Sequence, residues 1–445
     1  MRTKHERAKA LACAVLMALL GCLPGIGPGA KANAGAPQVK LSAALGTPVL
    51  LAGEKQTAYL KVGLTGFPIE AHRAPVNLAI VLDKSGSMQG EKIAKAREAA
   101  IMAIRRLNSE DIISVIAYDT TVRVVVPATK LTDPEGICSQ IQNITPGNTT
   151  ALFAGVSKGA EEVRKFFSRE RVNRIILLSD GLANVGPSST ADLARLGASL
   201  GKEGITVSTI GLGLGYNEDL MRWLAQNSDG SHFFAENATE LASVFDEEFG
   251  KATSVAAQKI RIEIECADGV RPVRVLLRDA EIAGQHVVAV LNQLYGNAEK
   301  ALILEVEVPA GTAGSNRELA SVRVTYENMA TGKTDTVASV VSGRFSLSRA
   351  EVEKAMDPSV MADVVEKIAV KRNELATALR DEGKVEEARK ALLDNRAYLE
   401  INAAQYNSRK LKDYAVSNQQ DADNLDGSSW TRQRKMQQRS QSSRY

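Results

Sequence analysis

Asp83-Lys-Ser-Gly-Ser87 places one carboxylate and two hydroxyls within five residues. All three are hard oxygen donors, and Gly86 lets the backbone turn tightly between the serines. A small set of hard ligands that includes neutral hydroxyls suits Mg²⁺ or Mn²⁺ with some water retained. Ser and Asp are also common helix caps, so the loop alone reads equally as the start of a helix from Gly90. Two more loops add oxygen donors. Leu177-Leu-Ser-Asp180-Gly181 ends in a second carboxylate, and Asn148-Thr-Thr150 opens a helical stretch with hydroxyls.

These loops fall at strand exits and helix entries of one alternating pattern. Val76–Leu82, Ile112–Tyr118, Arg174–Leu178 and Thr206–Ile210 are apolar runs of the kind buried on both faces of a parallel sheet. Between them, Gly90–Leu107 (Ile93, Ala96, Ala100, Ile104), Ala151–Phe167, Leu193–Leu200 and Asp219–Ala225 show helical spacing. Val122–Val126 follows the second strand too closely for a crossover and predicts an antiparallel edge. His232-Phe-Phe234 and a last helix from Thr239 to Phe249, with Thr239 as its N-cap, complete the set. The fold class is therefore α/β, a doubly wound and mostly parallel sheet with its loops at the carboxyl edge, where open α/β folds place ligands.

With those positions in view, the loops resemble the metal-ion-dependent adhesion site of von Willebrand factor A (VWA) domains and integrin inserted domains. The resemblance covers about residues 76–250, and the flanks (Asn184, Ile210-Gly-Leu-Gly213, Phe233-Phe234) resemble bacterial members and inter-alpha-trypsin inhibitor heavy chains. It implies the ligand set Asp83, Ser85, Ser87, Thr150 and Asp180, with Thr149 the alternative to Thr150. It also implies an open coordination position for a carboxylate (Asp, Glu or a chain terminus) from a protein or surface ligand. In integrin-like relatives, coordination at such a site is coupled to axial movement of the final helix. Lys84 departs from the usual pattern and is expected to point to solvent. The alternative function is a structural one, an envelope scaffold in which the metal only stabilises the loops.

The remaining chain frames this unit. Residues 1–34 read as a signal peptide: a basic start (Arg2, Lys4, Arg7, Lys9), an apolar run Ala10–Leu20, and small residues at Ala30–Ala34. Leu19-Leu-Gly-Cys22 also resembles a lipobox, so the body is expected to be exported, either cleaved or lipid-anchored at Cys22, and the anchor is the sole membrane contact expected. Residues 37–75 read as strands that join a β-sandwich at 255–346, making the 76–253 unit an insertion. Apolar faces from Val360 to Ala403 predict a helical hairpin within 347–420, and the basic, Gln/Ser-rich 421–445 reads as a disordered tail. Residues 33–426 carry a net charge of −6, which speaks against a nucleic-acid footprint. Cys138 and Cys266 read as two separate buried thiols. Gly211-Leu-Gly-Leu-Gly215 lacks the later glycine of a dinucleotide loop. His72, His232 and His286 accompany no nucleophile signature, so no enzymatic activity is expected.

The leader gives a direct prediction. Mass spectrometry of the natural product should find an N-terminus near Asn33 or Gly35, or a lipidated Cys22. An intact Met1 in a soluble cytoplasmic fraction would contradict both.

Overall fold

The computed structural model describes residues 37–68 and 73–442; the expected leader, Cys22 and His72 lie outside them. Strands β1 (Val39–Leu45), β2 (Val49–Leu51) and β3 (Gln56–Gly66) come first. Then follow β4 (Val76–Asp83), α1 (Glu91–Ile104), β5 (Ile112–Tyr118), β6 (Val122–Lys130), α2 (Pro134–Gln142), α3 (Leu152–Lys165), β7 (Val172–Ser179), α4 (Thr190–Glu203), β8 (Thr206–Leu212), α5 (Glu218–Asn227), β9 (His232–Ala235) and α6 (Leu241–Thr253). These build one sheet in the order β6-β5-β4-β7-β8-β9, parallel except for the β5–β6 hairpin. Every residue of β4, β5 and β7 is buried, because helices cover both faces. On one side α1, α2 and α6 pack through residues such as Ile93, Ile104, Ile141, Leu241 and Phe245. On the other, α3, α4 and α5 pack through Leu152, Val156, Leu193, Leu220 and Met221.

Thr239 is not the cap of the last helix. Asn237 caps a single 3₁₀ turn at Ala238–Glu240, and α6 starts only at Leu241. The short Asn side chain accepts from the Thr239 amide and so takes the capping role one turn earlier. Helix α2 was not legible as a helix, although Asp133 caps it and Pro134 occupies its first position.

The insertion sits in a sandwich. After α6 come β10 (Val255–Cys266), β11 (Arg271–Val275), β12 (Glu281–Ala283), β13 (His286–Tyr295), β14 (Glu299–Val308), β15 (Asn316–Asn328) and β16 (Lys333–Ser346). One sheet runs β1-β3-β14-β11 and the other β12-β13-β10-β15-β16-β2. Strand β3, from before the insertion, pairs with β14, from after it, along Gln56–Thr65. Alternating residues such as Leu60, Val62, Ile262, Ile264, Leu304 and Val324 fill the space between the sheets. The two chain crossings lie side by side: Gly66 donates to Ala298 O at 3.0 Å and Gly296 to Ser254 O at 2.7 Å.

The C-terminal region is more than a hairpin. Helices α7 (Arg349–Lys354), α8 (Pro358–Asp381), α9 (Val385–Gln405) and α10 (Arg409–Asp423) are followed by α11 (Gly427–Ser442). Helix α10 escaped sequence reading because its inner face mixes Leu411, Tyr414 and Ala415 with Asn418. The asparagine belongs to a buried amide cluster, in which Asn373 donates to Asn418 at 2.7 Å and Asn395 to Asn373 at 2.7 Å. The expected disordered tail is also corrected. Trp430 is buried with Ala376, Leu392 and Leu425, and the cations of α11 find acids on α5 and after β9. Arg434 contacts Glu218 (2.5 Å), Asp219 (2.6 Å) and Asp381 (2.7 Å), while Arg432 meets Glu236 at 2.8 Å. A charge run without apolar periodicity carries no sign of such partners.

At the amino edge of the parallel sheet, two ionic clusters join the inserted unit to the sandwich. Asp229, just before β9, accepts from Lys300 at 2.8 Å and from the Asn292 amide at 2.9 Å. Arg174 on β7 pairs with Glu248 on α6, and both side chains are fully buried. Arg174 also donates to Gln293 and, at 2.9 Å, to the Tyr295 hydroxyl, both on β13. Glu248 accepts from Ser208 at 2.5 Å. Axial sliding of α6 would separate this buried pair. Truncating one partner leaves the other charge buried and uncompensated, so Glu248→Gln should cost about 3–5 kcal/mol in urea unfolding. The double variant Arg174→Met, Glu248→Leu should recover most of it. A single variant as stable as the parent would contradict the pinning.

Candidate metal centre

The carboxyl edge of the sheet brings the oxygen-bearing loops together. Asp83 is the last residue of β4, and Asp180 follows β7, the strand beside it. The parallel register therefore sets the two carboxylates side by side. Asp83 is 0% exposed and Asp180 1%. Asp83 Oδ1 accepts from the Ser85 amide at 2.8 Å, and Oδ2 from the Ser179 hydroxyl at 2.6 Å. Burial pushes the Asp83 carboxyl above its ordinary range; the Ser179 and Ser85 bonds pull it back, and the charge of Asp180 pushes it up again.

The hydroxyls line up beyond them. Ser85 Oγ lies 3.1 Å from Ser87 Oγ, and Ser87 donates to Asp180 Oδ1 at 2.7 Å. Ser85 and Thr150 are buried, and Ser87 stands at the surface. Gly181 shows that these groups converge. A Cβ placed on it would lie 3.0 Å from Thr150 Oγ1, 3.4 Å from Ser87 Oγ and 3.7 Å from Ser85 Oγ. Three hydroxyls thus face one small cradle that the absence of a side chain keeps open. Thr149 is elsewhere: it is exposed and bonds Thr120 Oγ1 at 2.7 Å.

Backbone bonds hold the loops in register. Gly86 donates to Asn148 O (2.8 Å), Gly147 to Lys84 O (2.6 Å) and Ala151 to Asp119 O (2.8 Å). Asn184 accepts from the Thr150 amide at 2.8 Å. Helix α3 approaches closely because Gly155 faces the Tyr118 ring, where a Cβ would come within 2.8 Å.

Lys84 does not point to solvent. Its ammonium lies 2.5 Å from Asp119 Oδ2, and although burial opposes it, this pair and the Thr121 bonds hold Asp119 below its ordinary range. Sequence reading missed Lys92, on the first turn of α1, whose ammonium sits 2.5 Å from Asp180 Oδ2. A lysine in a first helical turn carries no signal that separates it from a solvated charge. Ser179 and Asp119 were also missed; each stands next to a residue already singled out.

The donor set fits a hard divalent ion: two carboxylates and three hydroxyls, with no sulfur or imidazole. Among the described residues, no three His, Cys, Asp or Glu side chains cluster as a metal site, so an ion here would depend on the hydroxyls. Residues 77–247 match the von Willebrand factor type A domain family. This segment is a VWA domain. The chain is 28% identical over 273 residues to an uncharacterized protein of Synechocystis sp., covering 59% of this chain and 64% of that one. It is 25% identical to YfbK, an uncharacterized protein of Escherichia coli, over 47% of this chain and 37% of that protein. It is also 26% identical to the inter-alpha-trypsin inhibitor heavy chain H3 of Rattus norvegicus, over 37% of this chain and 19% of that one. The matched segments thus span less than two thirds of each relative. Among solved structures, a von Willebrand factor type A protein from Catenulispora acidiphila superposes with a TM-score of 0.69 at 16% identity, over 84% of this chain and 89% of the other. The ArnB paralog VWA2 from Sulfolobus acidocaldarius gives 0.63 at 18%, over 91% and 99%. At these identities the likeness establishes the fold.

The cradle yields a test. Gly181→Ala would put a methyl among the three hydroxyls, so calorimetry should show Mg²⁺ affinity reduced by roughly tenfold or more, about 1.4 kcal/mol. The melting temperature should hardly move. Parental affinity in that variant would place the ion elsewhere.

Proposed function

We propose that this chain is an exported, divalent-metal-dependent binding module of the adhesion type. In this reading Asp83, Ser85, Ser87, Thr150 and Asp180 hold Mg²⁺ or Mn²⁺, and a carboxylate of a protein or surface ligand completes the coordination. The convergence of three hydroxyls on the Gly181 cradle, with two buried carboxylates hydrogen-bonded to the same serine loop, carries it. VWA domains typically mediate metal-dependent protein interactions, which supports the general class. The ion would supply a hard electrophilic centre; the chain's own residues orient the donors and keep the site at the surface, where Ser87 is exposed.

Catalysis has no place in the reading. His232 is buried, bonds Thr209 at 2.8 Å, and burial lowers its pKa to about 3, so it stays neutral and enclosed. His286 faces Glu265 on the sandwich, away from the sheet edge. Export rests on the leader alone; none of the described helices is long and apolar enough to cross a membrane. A scaffold in which the ion merely staples the loops has less support, because backbone bonds already join them.

Capture from envelope extract on the immobilised full chain should be strong in Mg²⁺ and lost with chelator. Asp83→Ala should lose the same bound species. Under chelator the melting temperature should stay within a degree or two. Capture indifferent to chelator would refute the binding reading, and a large fall in melting temperature would favour the scaffold.

A further inference from the structure

The two buried carboxylates of the site come with a third charge. Lys92 Nζ lies 2.5 Å from Asp180 Oδ2, while Ser87 donates to the other oxygen, Oδ1, at 2.7 Å. The Asp180 side chain is 0% exposed and that of Lys92 37%. This differs from the neighbouring pair on the same helix, Lys95–Glu98, in which the carboxylate side chain is 63% exposed. Exposed pairs contribute little. A cation against a fully buried carboxylate acts through low-dielectric surroundings, where charges are felt strongly. The ammonium stands 3.9 Å from where a Cβ on Gly213 would lie, and a Cβ on Gly215 would lie 3.3 Å from the Asp180 main-chain carbonyl, so the loop after β8 passes beside Lys92 and the Asp180 backbone. The other nearby lysine, Lys84, is cancelled by Asp119. Lys92 is therefore the charge that unbalances the site.

We propose that Lys92 is a resident cation of the metal site, which weakens the divalent ion's hold and tunes the loaded site toward an anionic ligand. The proposal rests on the metal-binding reading above. Asp83 and Asp180 together cancel one divalent ion. With Lys92 the loaded site carries one net positive charge, which an incoming carboxylate neutralises and an uncharged group does not. The same ammonium repels the ion and engages Oδ2, leaving Oδ1 as the Asp180 oxygen turned to the hydroxyl cluster. Lys92 thus sets ligand selectivity at the expense of metal affinity, and it does so by charge, so arginine should substitute for it.

Two measurements on the full chain test this. Calorimetric titration with Mg²⁺ alone should show Lys92→Met binding tenfold or more tighter than the parent, with Lys92→Arg within about twofold of it. Acetate serves as the minimal carboxylate: the Mn²⁺-loaded parent should shorten the proton relaxation time of its methyl group, and Mn²⁺-loaded Lys92→Met should do so several-fold less. Mg²⁺ affinity equal to or weaker than the parent's in Lys92→Met would overturn the proposal, since Lys92 would then be a mere clamp on Asp180. Tighter Mg²⁺ with undiminished acetate relaxation would overturn its selectivity half. A parent that binds no Mg²⁺ refutes the metal reading itself, and that failure is visible before any variant is made.

Discussion

Two carboxylates buried side by side at one edge of a parallel sheet are the constraint around which this molecule is arranged. Isolated buried carboxylates are costly, and two together more so, because the repulsion between the like charges adds to the desolvation of each. Asp83 and Asp180 are accommodated by Ser85, Ser87 and Ser179 hydrogen bonds and by the Lys92 ammonium. The parallel pairing of β4 and β7 places them together, and backbone bonds between the loops keep them there. A fold that assembles anionic groups so rigidly has a ready place for a cation, and the hydroxyls of Ser85, Ser87 and Thr150 turn that place toward the surface.

The opposite edge of the same sheet is organised for the reverse purpose. There Arg174, Glu248, Asp229 and Lys300 are paired and enclosed, and they attach the VWA domain to the sandwich through β13 and the start of β14. Glu248 belongs to α6, the helix whose displacement accompanies ligand binding in integrin-like domains. Here that helix is held by a buried ion pair at its C-terminal half, and it leads directly into β10. Helix α11 adds a further restraint, bridging the helical region to α5 and to the segment after β9.

Much of this was legible in the sequence, for identifiable reasons. Val76–Leu82 and Arg174–Leu178 announce strands buried on both faces because their apolar runs are nearly continuous. Loop positions at the carboxyl edge follow from the alternation of strand and helix. What was not legible depends on partners distant in the chain. Lys84 and Lys92 look like solvated charges until Asp119 and Asp180 are beside them. Arg174 is a charge within a buried strand whose partner lies on α6, far along the chain. The apolar faces of α10 and α11 are short and interrupted, with Leu411, Tyr414 and Ala415 mixed with Asn418 on one and Trp430 beside ion-paired arginines on the other. Such mixed packing leaves only a weak periodic trace in a sequence.

The central claim is that a divalent ion sits among the three hydroxyls and two carboxylates at this edge. Anomalous diffraction from crystals grown with Mn²⁺ addresses it most directly. The account predicts a single strong peak bounded by Ser85, Ser87, Thr150 and Asp180, with Lys92 still adjacent to Asp180. A crystal saturated with Mn²⁺ that shows no peak there, or a peak only at unrelated carboxylates, would contradict it.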